Sequence, residues 1–209
     1  MATGTSARRT QAERSQATRA KVLDAAVACL ADRGLAATTT TEVARRAQVS
    51  RGALLHQFPT RGDLVDAAAR HVLGSFADQF AATMGALPEG PERIRSAIDL
   101  LAGIFDGPVI GAWYELILAG RTDPELQAHV GDIYDELAVI VADLWADLFP
   151  AGLGDLGPEI NDAVPALLFA VLHGNALRAM TGSSSAARHA QQSLDLVKVL
   201  AELFGTPAT

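Results

Sequence analysis

The chain has a single cysteine, Cys29, among its 209 residues, so no internal disulfide can form and no zinc site can be built on cysteines. Cys29 falls inside an apolar helical pattern and reads as a small core residue. Aromatics are scarce at 5%, so Ala, Leu and Val must fill the interior, which favours closely packed helices. Only Lys21 and Lys198 are lysines; the other 15 of the 17 basic residues are arginines. No apolar run approaches the ~18 residues of a membrane span, and the polar N-terminus has no signal-peptide stretch. A soluble, cytoplasmic protein with no membrane partner is expected. Strand-like alternation and internal repeats are missing, and with no strand there is no glycine-rich phosphate loop to follow one. His56, His71, His129, His173 and His189 are scattered without ligand spacing. Asp132, Asp135 and Glu136 lie close on one helical segment and read as a solvated acidic face. No metal, cofactor or catalytic constellation emerges, so an enzyme is not expected.

What the sequence does have is 49% apolar residues, enough for a sizeable core, and an uneven charge. Met1 to Gly62 carry ten Lys+Arg against four Asp+Glu, a balance of +6; the remainder carries seven against twenty, −13, giving the net −7. A basic first third on an acidic protein is an electrostatic footprint for a polyanion. A basic segment merely solvated in water accounts for the asymmetry equally well.

The periodicity is helical throughout. Residues 1–17 are polar and aperiodic and are expected to be a disordered basic arm. A first helix is expected from Thr18 to Arg33, with Val22, Leu23, Ala26, Val27 and Leu30 on one face and Gly34 as its C-terminal stop. The threonines from Thr38 to Thr41 offer an N-cap, and Glu42 stands in the first turn, where the helix dipole favours an acid. This short second helix stops near Gln48. Ser50 caps a third, which points Leu54 and Phe58 inward and ends at Pro59. Thr60 caps a long fourth helix reaching about Met84, with Leu64, Ala68, Val72 and Phe76 at helical spacing. Gly85 to Pro91 is the clearest break. Helices then follow near Glu92–Phe105, Pro108–Ala119, Pro124–Phe149, Glu159–Met180 and Ala187–Phe204, divided by glycine and proline.

Two helices of about two turns, joined by some three residues around Gln48 and Val49, suit docking in a DNA major groove. The second would lie in the groove. Arg51 and Arg61 flank it, and Thr39 to Thr41 place hydroxyls and free amides at the start of the first; both suit phosphate oxygens.

The run from Thr18 to Val65 resembles the DNA-binding domain of the tetracycline-repressor (TetR) family. The shared elements are Leu23-Asp24-Ala25-Ala26, Asp32-Arg33-Gly34, Thr38-Thr39, Val43-Ala44, Val49-Ser50, Gly52 and Phe58-Pro59, and Ala112 to Leu126 resembles ligand-domain segments of that family. The resemblance implies an all-α homodimer of about nine helices per chain. Residues 18–62 would form the helix-turn-helix head, and residues 63–209 a ligand-binding and dimerisation domain paired through its last two helices. Three positions depart from the family pattern. Gln48 replaces a turn glycine, so it is expected to carry a left-handed backbone at a cost of a few tenths to about 1 kcal/mol. Ala53 and Leu55 replace a frequent threonine and tyrosine, removing two hydroxyls. The residues expected at DNA are Thr39, Thr41, Arg51, Gly52, Ala53, His56, Gln57 and Arg61, with His56 and Gln57 as base readers. For His56 the alternative is a partly exposed helix residue without a contact. Arg8, Arg9, Arg14 and Arg19 of the arm either track phosphate or are simply solvated.

Polar or aromatic residues inside later apolar stretches are the candidates for a small-molecule effector pocket: Trp113, Tyr114, Glu115, Tyr134 and His173. The segment Ala163 to Met180 is apolar nearly all round and needs cover on two sides. Together with the helix carrying Leu194, Val197, Leu200 and Phe204 it is expected to pair with a second chain. The expected function is a ligand-responsive regulator that binds a palindromic DNA operator as a dimer and is released by an effector. The alternative is a helical ligand-binding or interaction protein whose DNA-binding head has degenerated.

Overall fold

The computed structural model describes residues 10–88, 92–148 and 158–205, and every regular element among them is a helix. In order these are α1 (Gln11–Ala37), α2 (Thr40–Ala47), α3 (Arg51–Gln57), α4 (Arg61–Ala86), α5 (Glu92–Phe105), α6 (Pro108–Gly120), α7 (Pro124–Leu148), α8 (Pro158–Ala179) and α9 (Ser184–Gly205). Arg8 and Arg9 of the expected arm lie outside the described residues.

The largest departure from expectation is the start of α1. Residues 11–17 are helical rather than aperiodic. The reason is a capping box: the Thr10 side chain accepts from Glu13 N–H at 3.2 Å, and the Glu13 carboxylate accepts from Thr10 N–H at 2.6 Å. Two otherwise orphaned donors are thus satisfied and the helix can begin about three turns before its first buried residue, Val22. Arg14 and Arg19 therefore stand on a helix. At the other end α1 is broken at Gly34 (φ 74°, ψ 171°), a conformation essentially confined to glycine.

The chain forms two compact units. The first comprises Met1–Val72 with Gly111–Gln127, the second Leu73–Ile110 with Ala128–Thr209. In the first unit α1, α2 and α3 pack together, burying Val22, Leu30, Val43, Leu54 and Phe58. Full burial of one such side chain contributes roughly 1.5–3 kcal/mol. α6 joins this unit from Gly111 onward and buries Ala112, Trp113, Tyr114 and Leu116. In the second unit α5, α8 and α9 pack on one another. Phe76, Phe80, Phe105 and Phe169 form its aromatic centre, with ring centroids 5.5–6.5 Å apart, and the His173 ring sits edge-on to Phe105 at 4.9 Å. Lys198 is buried and reaches Asp99.

Candidate nucleic-acid interface

The turn between α2 and α3 is set by three caps. Thr39 accepts from Glu42 N–H at 3.2 Å, which fixes the start of α2 and leaves its hydroxyl hydrogen free to donate outward. Gln48 takes the left-handed conformation (φ 57°, ψ 40°) that its place in the turn demands. Its N–H reaches Arg45 O at 3.3 Å while Val49 N–H reaches Ala44 O at 3.0 Å, the paired bonds of a Schellman ending. Ser50 accepts from Ala53 N–H at 3.1 Å and starts α3 at Arg51. Buried Leu54 and Phe58 turn one side of α3 inward and hold it. Arg51, Gly52 and His56 are exposed, and Ala53, Leu55 and Gln57 are half-buried.

Gly52 is not required by the fold: a Cβ there would meet only Ser50 Oγ, at 4.0 Å. Thr39 and Thr41 are exposed at the N-terminal turn of α2. Five of the residues expected at DNA, namely Thr39, Thr41, Arg51, Gly52 and Ala53, thus belong to the two capped helix starts, and a sixth, His56, stands in the last turn of α3.

Two others are held within the protein. The Gln57 amide donates to Ser15 Oγ at 2.7 Å, so the first turns of α1 brace the end of α3. A shallow groove runs between them, lined by Gln11, Arg14, Ser15, Thr18 and His56. The Arg61 guanidinium donates from Nε to Thr38 O at 3.0 Å and from a second nitrogen to Leu35 O. It satisfies carbonyls at the corner between α1 and α2. Ser15 and the bracing turns of α1 were missed in the sequence, although Thr10-x-x-Glu13 is a legible capping signal.

Part of the positive charge is also neutralised locally. Arg45 meets Glu42 at 2.7 Å, Arg33 meets Glu42 at 3.5 Å, and Arg46 meets Asp32 at 2.6 Å. The hydrogen bond from Arg45 is the main reason the Glu42 carboxyl lies below the usual carboxylate range. Arg19 stacks over Phe58, 4.6 Å from the ring centroid. Arg51, at the open end of α3, stays exposed.

The five effector candidates fall in different units. Trp113, Tyr114 and Glu115 belong to the first, Tyr134 and His173 to the second. Trp113 is 1% exposed, and its indole N–H has no hydrogen-bond partner among the described residues. Burial pushes the Tyr114 hydroxyl up to about 12. Glu115 accepts Leu35 N–H at 3.1 Å. Tyr134 is half exposed, whereas burial among Phe105 and Phe169 holds His173 below its usual range. No single helix among the described residues is long and apolar enough to cross a membrane.

Residues 22–68 match the family model described as bacterial regulatory proteins, tetR family. An uncharacterized HTH-type transcriptional regulator of Mycobacterium tuberculosis is 29% identical over 169 residues, covering 81% of this chain and 86% of that protein. The HTH-type transcriptional regulator CymR of Pseudomonas putida is 29% identical over 175 residues, covering 83% and 84%. Among solved structures, a TetR transcriptional regulator from Chloroflexus aurantiacus superposes with a TM-score of 0.70 at 17% identity over 90% of this chain and 96% of that one. A transcriptional regulator from Saccharomonospora viridis, solved in complex with choline, gives 0.69 at 17% identity over the same shares.

Proposed function

We propose, from the premise that this chain belongs to the tetR family of bacterial regulatory proteins and is a helix-turn-helix transcriptional regulator, that it represses by holding a palindromic operator as a homodimer. The observation that carries the reading is the open start of α3. Arg51 is exposed there, Gly52 is a glycine that nothing inside the protein calls for, and His56 is exposed in the last turn of the same helix. A bare backbone at a helix N-terminus lets phosphate approach the free amides closely. Arg51 and the Thr39 and Thr41 hydroxyls fix register on the phosphates, and His56 with Ala53 faces base edges. Gln57, its amide oriented by Ser15, presents its remaining donor and acceptor to the same groove.

The second chain joins through α8 and α9. Leu167 and Leu177 on α8, Met180 just past its end, and Leu196, Val199 and Leu200 on α9 are each at least 40% exposed. On α9 they fall at i, i+3 and i+4, one apolar stripe. The face shown to the partner thus contains Leu200 but is centred on Leu196 and Val199; Leu194 and Val197 are half-buried, and the side chain of Phe204 lies outside the described residues.

Release follows binding of a small molecule in the second unit, beside His173 and its phenylalanines. The choline held by the fold relative from Saccharomonospora viridis supports an effector that suits aromatic walls. Such a ligand acts only through different affinities for the two conformations, typically ~1–3 kcal/mol or roughly 5–150-fold in operator affinity.

The test is selection from a random duplex library, followed by titration of the recovered site at several salt concentrations. Inverted repeats with half-site centres about 34–36 Å apart, or a multiple, are expected. So is a log-log salt slope of about −0.9 per neutralised phosphate. Recovery of unrelated, non-repeated sequences would sink the reading.

A further inference from the structure

We infer that Glu115, on α6, is a positioning residue for DNA binding: its carboxylate holds the corner between α1 and α2 and so fixes where α2 begins. This rests on the operator-binding reading above and deepens it.

The corner starts at Gly34, whose φ of 74° and ψ of 171° interrupt α1. Such a break takes the next amide, Leu35 N–H, out of the helical ladder. A half-buried donor without a partner is costly. Its acceptor is Glu115 Oε2 at 3.1 Å, a residue eighty positions along the chain. The contact is available only because position 34 has no side chain: a Cβ there would lie 2.8 Å from the same oxygen. Gly111, one turn before Glu115 and on the same face of α6, lies close to α1, where its Cβ would meet that of Ala31 at 3.8 Å. Two glycines, one on each element, bring α6 and the end of α1 together.

From there the hydrogen bonds run on into the head. Thr38 is 1% exposed, and its hydroxyl donates to Gly34 O at 2.9 Å. Its N–H reaches Leu35 O at 3.1 Å, and its own carbonyl accepts Arg61 Nε at 3.0 Å. The next residue, Thr39, is the N-cap of α2. Glu115 on one side and Arg61 on the other therefore grip the five residues that lead into the helix start proposed to meet phosphate. Displacing α6 enough to part Glu115 from Leu35 removes one of the two grips. Glu115 therefore acts on DNA through this corner rather than by touching an effector.

The experiment uses the full chain on the duplex selected with the unaltered protein. If the unaltered protein shows no salt-dependent, sequence-dependent binding, the operator reading fails, whatever Glu115 does. Given binding, Glu115→Ala is expected to weaken operator affinity roughly 10–150-fold, the range of one lost hydrogen bond to a charged acceptor. Non-specific binding should change by less than about threefold, and the Leu35 amide should exchange with solvent at least about tenfold faster. Glu115→Gln keeps an oxygen for Leu35 N–H and should restore both readouts to within about threefold. Where Glu115→Ala unfolds the head, Glu115→Asp provides the comparison, since it keeps the charge on a stem too short to reach. Faster Leu35 exchange with unchanged operator affinity would overturn the proposal, as would unchanged exchange in both shortened variants.

Discussion

Replacing Gln48 with glycine should stabilise this protein, and the size of the gain can be worked from the backbone. Gln48 is the one non-glycine residue with a positive φ among those described, at φ 57° and ψ 40°. An L-residue in that region carries about 1–2 kcal/mol of strain, from Cβ against the following carbonyl oxygen. The side chain is exposed, and no hydrogen bond holds it in place, so little is lost by removing it. Both bonds of the turn, Gln48 N–H to Arg45 O and Val49 N–H to Ala44 O, come from the backbone and survive the change. Against the relief stands the greater freedom of glycine in the unfolded chain, about 0.5–1 kcal/mol. The net gain is about 0.5–1 kcal/mol, which for a chain of this length raises Tm by roughly 1–4 °C. Gln48→Ala is the control: it removes the same exposed amide but keeps Cβ, and should leave Tm unchanged or slightly lowered. Both variants are compared by thermal unfolding and by the urea midpoint at unchanged m. If Gln48→Gly were no more stable than Gln48→Ala, the strain argument would fail and the turn would have to be held by something other than backbone geometry.

Arg61→Ala is expected to destabilise by about 1–2 kcal/mol, because the carbonyls of Thr38 and Leu35 lose a charged donor. The salt slope of operator binding should stay within experimental error; a slope lower by about one unit at unchanged Tm would place the guanidinium on phosphate instead. His173 gives stability a pH dependence of known sign. Burial lowers its folded pKa below the ordinary value near 6.5, so the unfolded chain binds more protons just below that pH. Tm should therefore fall as pH drops from about 7 towards 5, and His173→Gln should flatten that part of the profile; an equal fall in the variant would clear His173 of responsibility. Finally, Leu196→Asp with Val199→Asp puts two charges on the exposed stripe of α9. Light scattering at micromolar concentration should show a dimer before the change and a monomer after it, with helical content retained, and a dimer surviving both charges would move the interface elsewhere.

The sequence by itself determined what depends on near neighbours. The ends of helices α5 to α9 fall within three residues of those expected, the end expected at Phe149 lying outside the described residues, because glycine and proline between apolar-periodic segments act locally. The caps at Thr39 and Ser50 and the left-handed Gln48 were legible for the same reason: each is settled within about three residues of chain. The early start of α1 was legible in principle from Thr10 and Glu13, but apolar periodicity is silent on a helix segment that buries nothing. Tertiary structure alone decided which exposed-looking polar groups are taken. No spacing rule relates Gln57 to Ser15, Arg61 to Thr38, or Glu115 to Leu35, since these partners stand 42, 23 and 80 positions apart. A side chain marked by composition as a phosphate or effector contact also serves a polar group of its own chain once packing brings that group within about 3 Å, because leaving a buried partner unpaired costs more than solvating a surface charge.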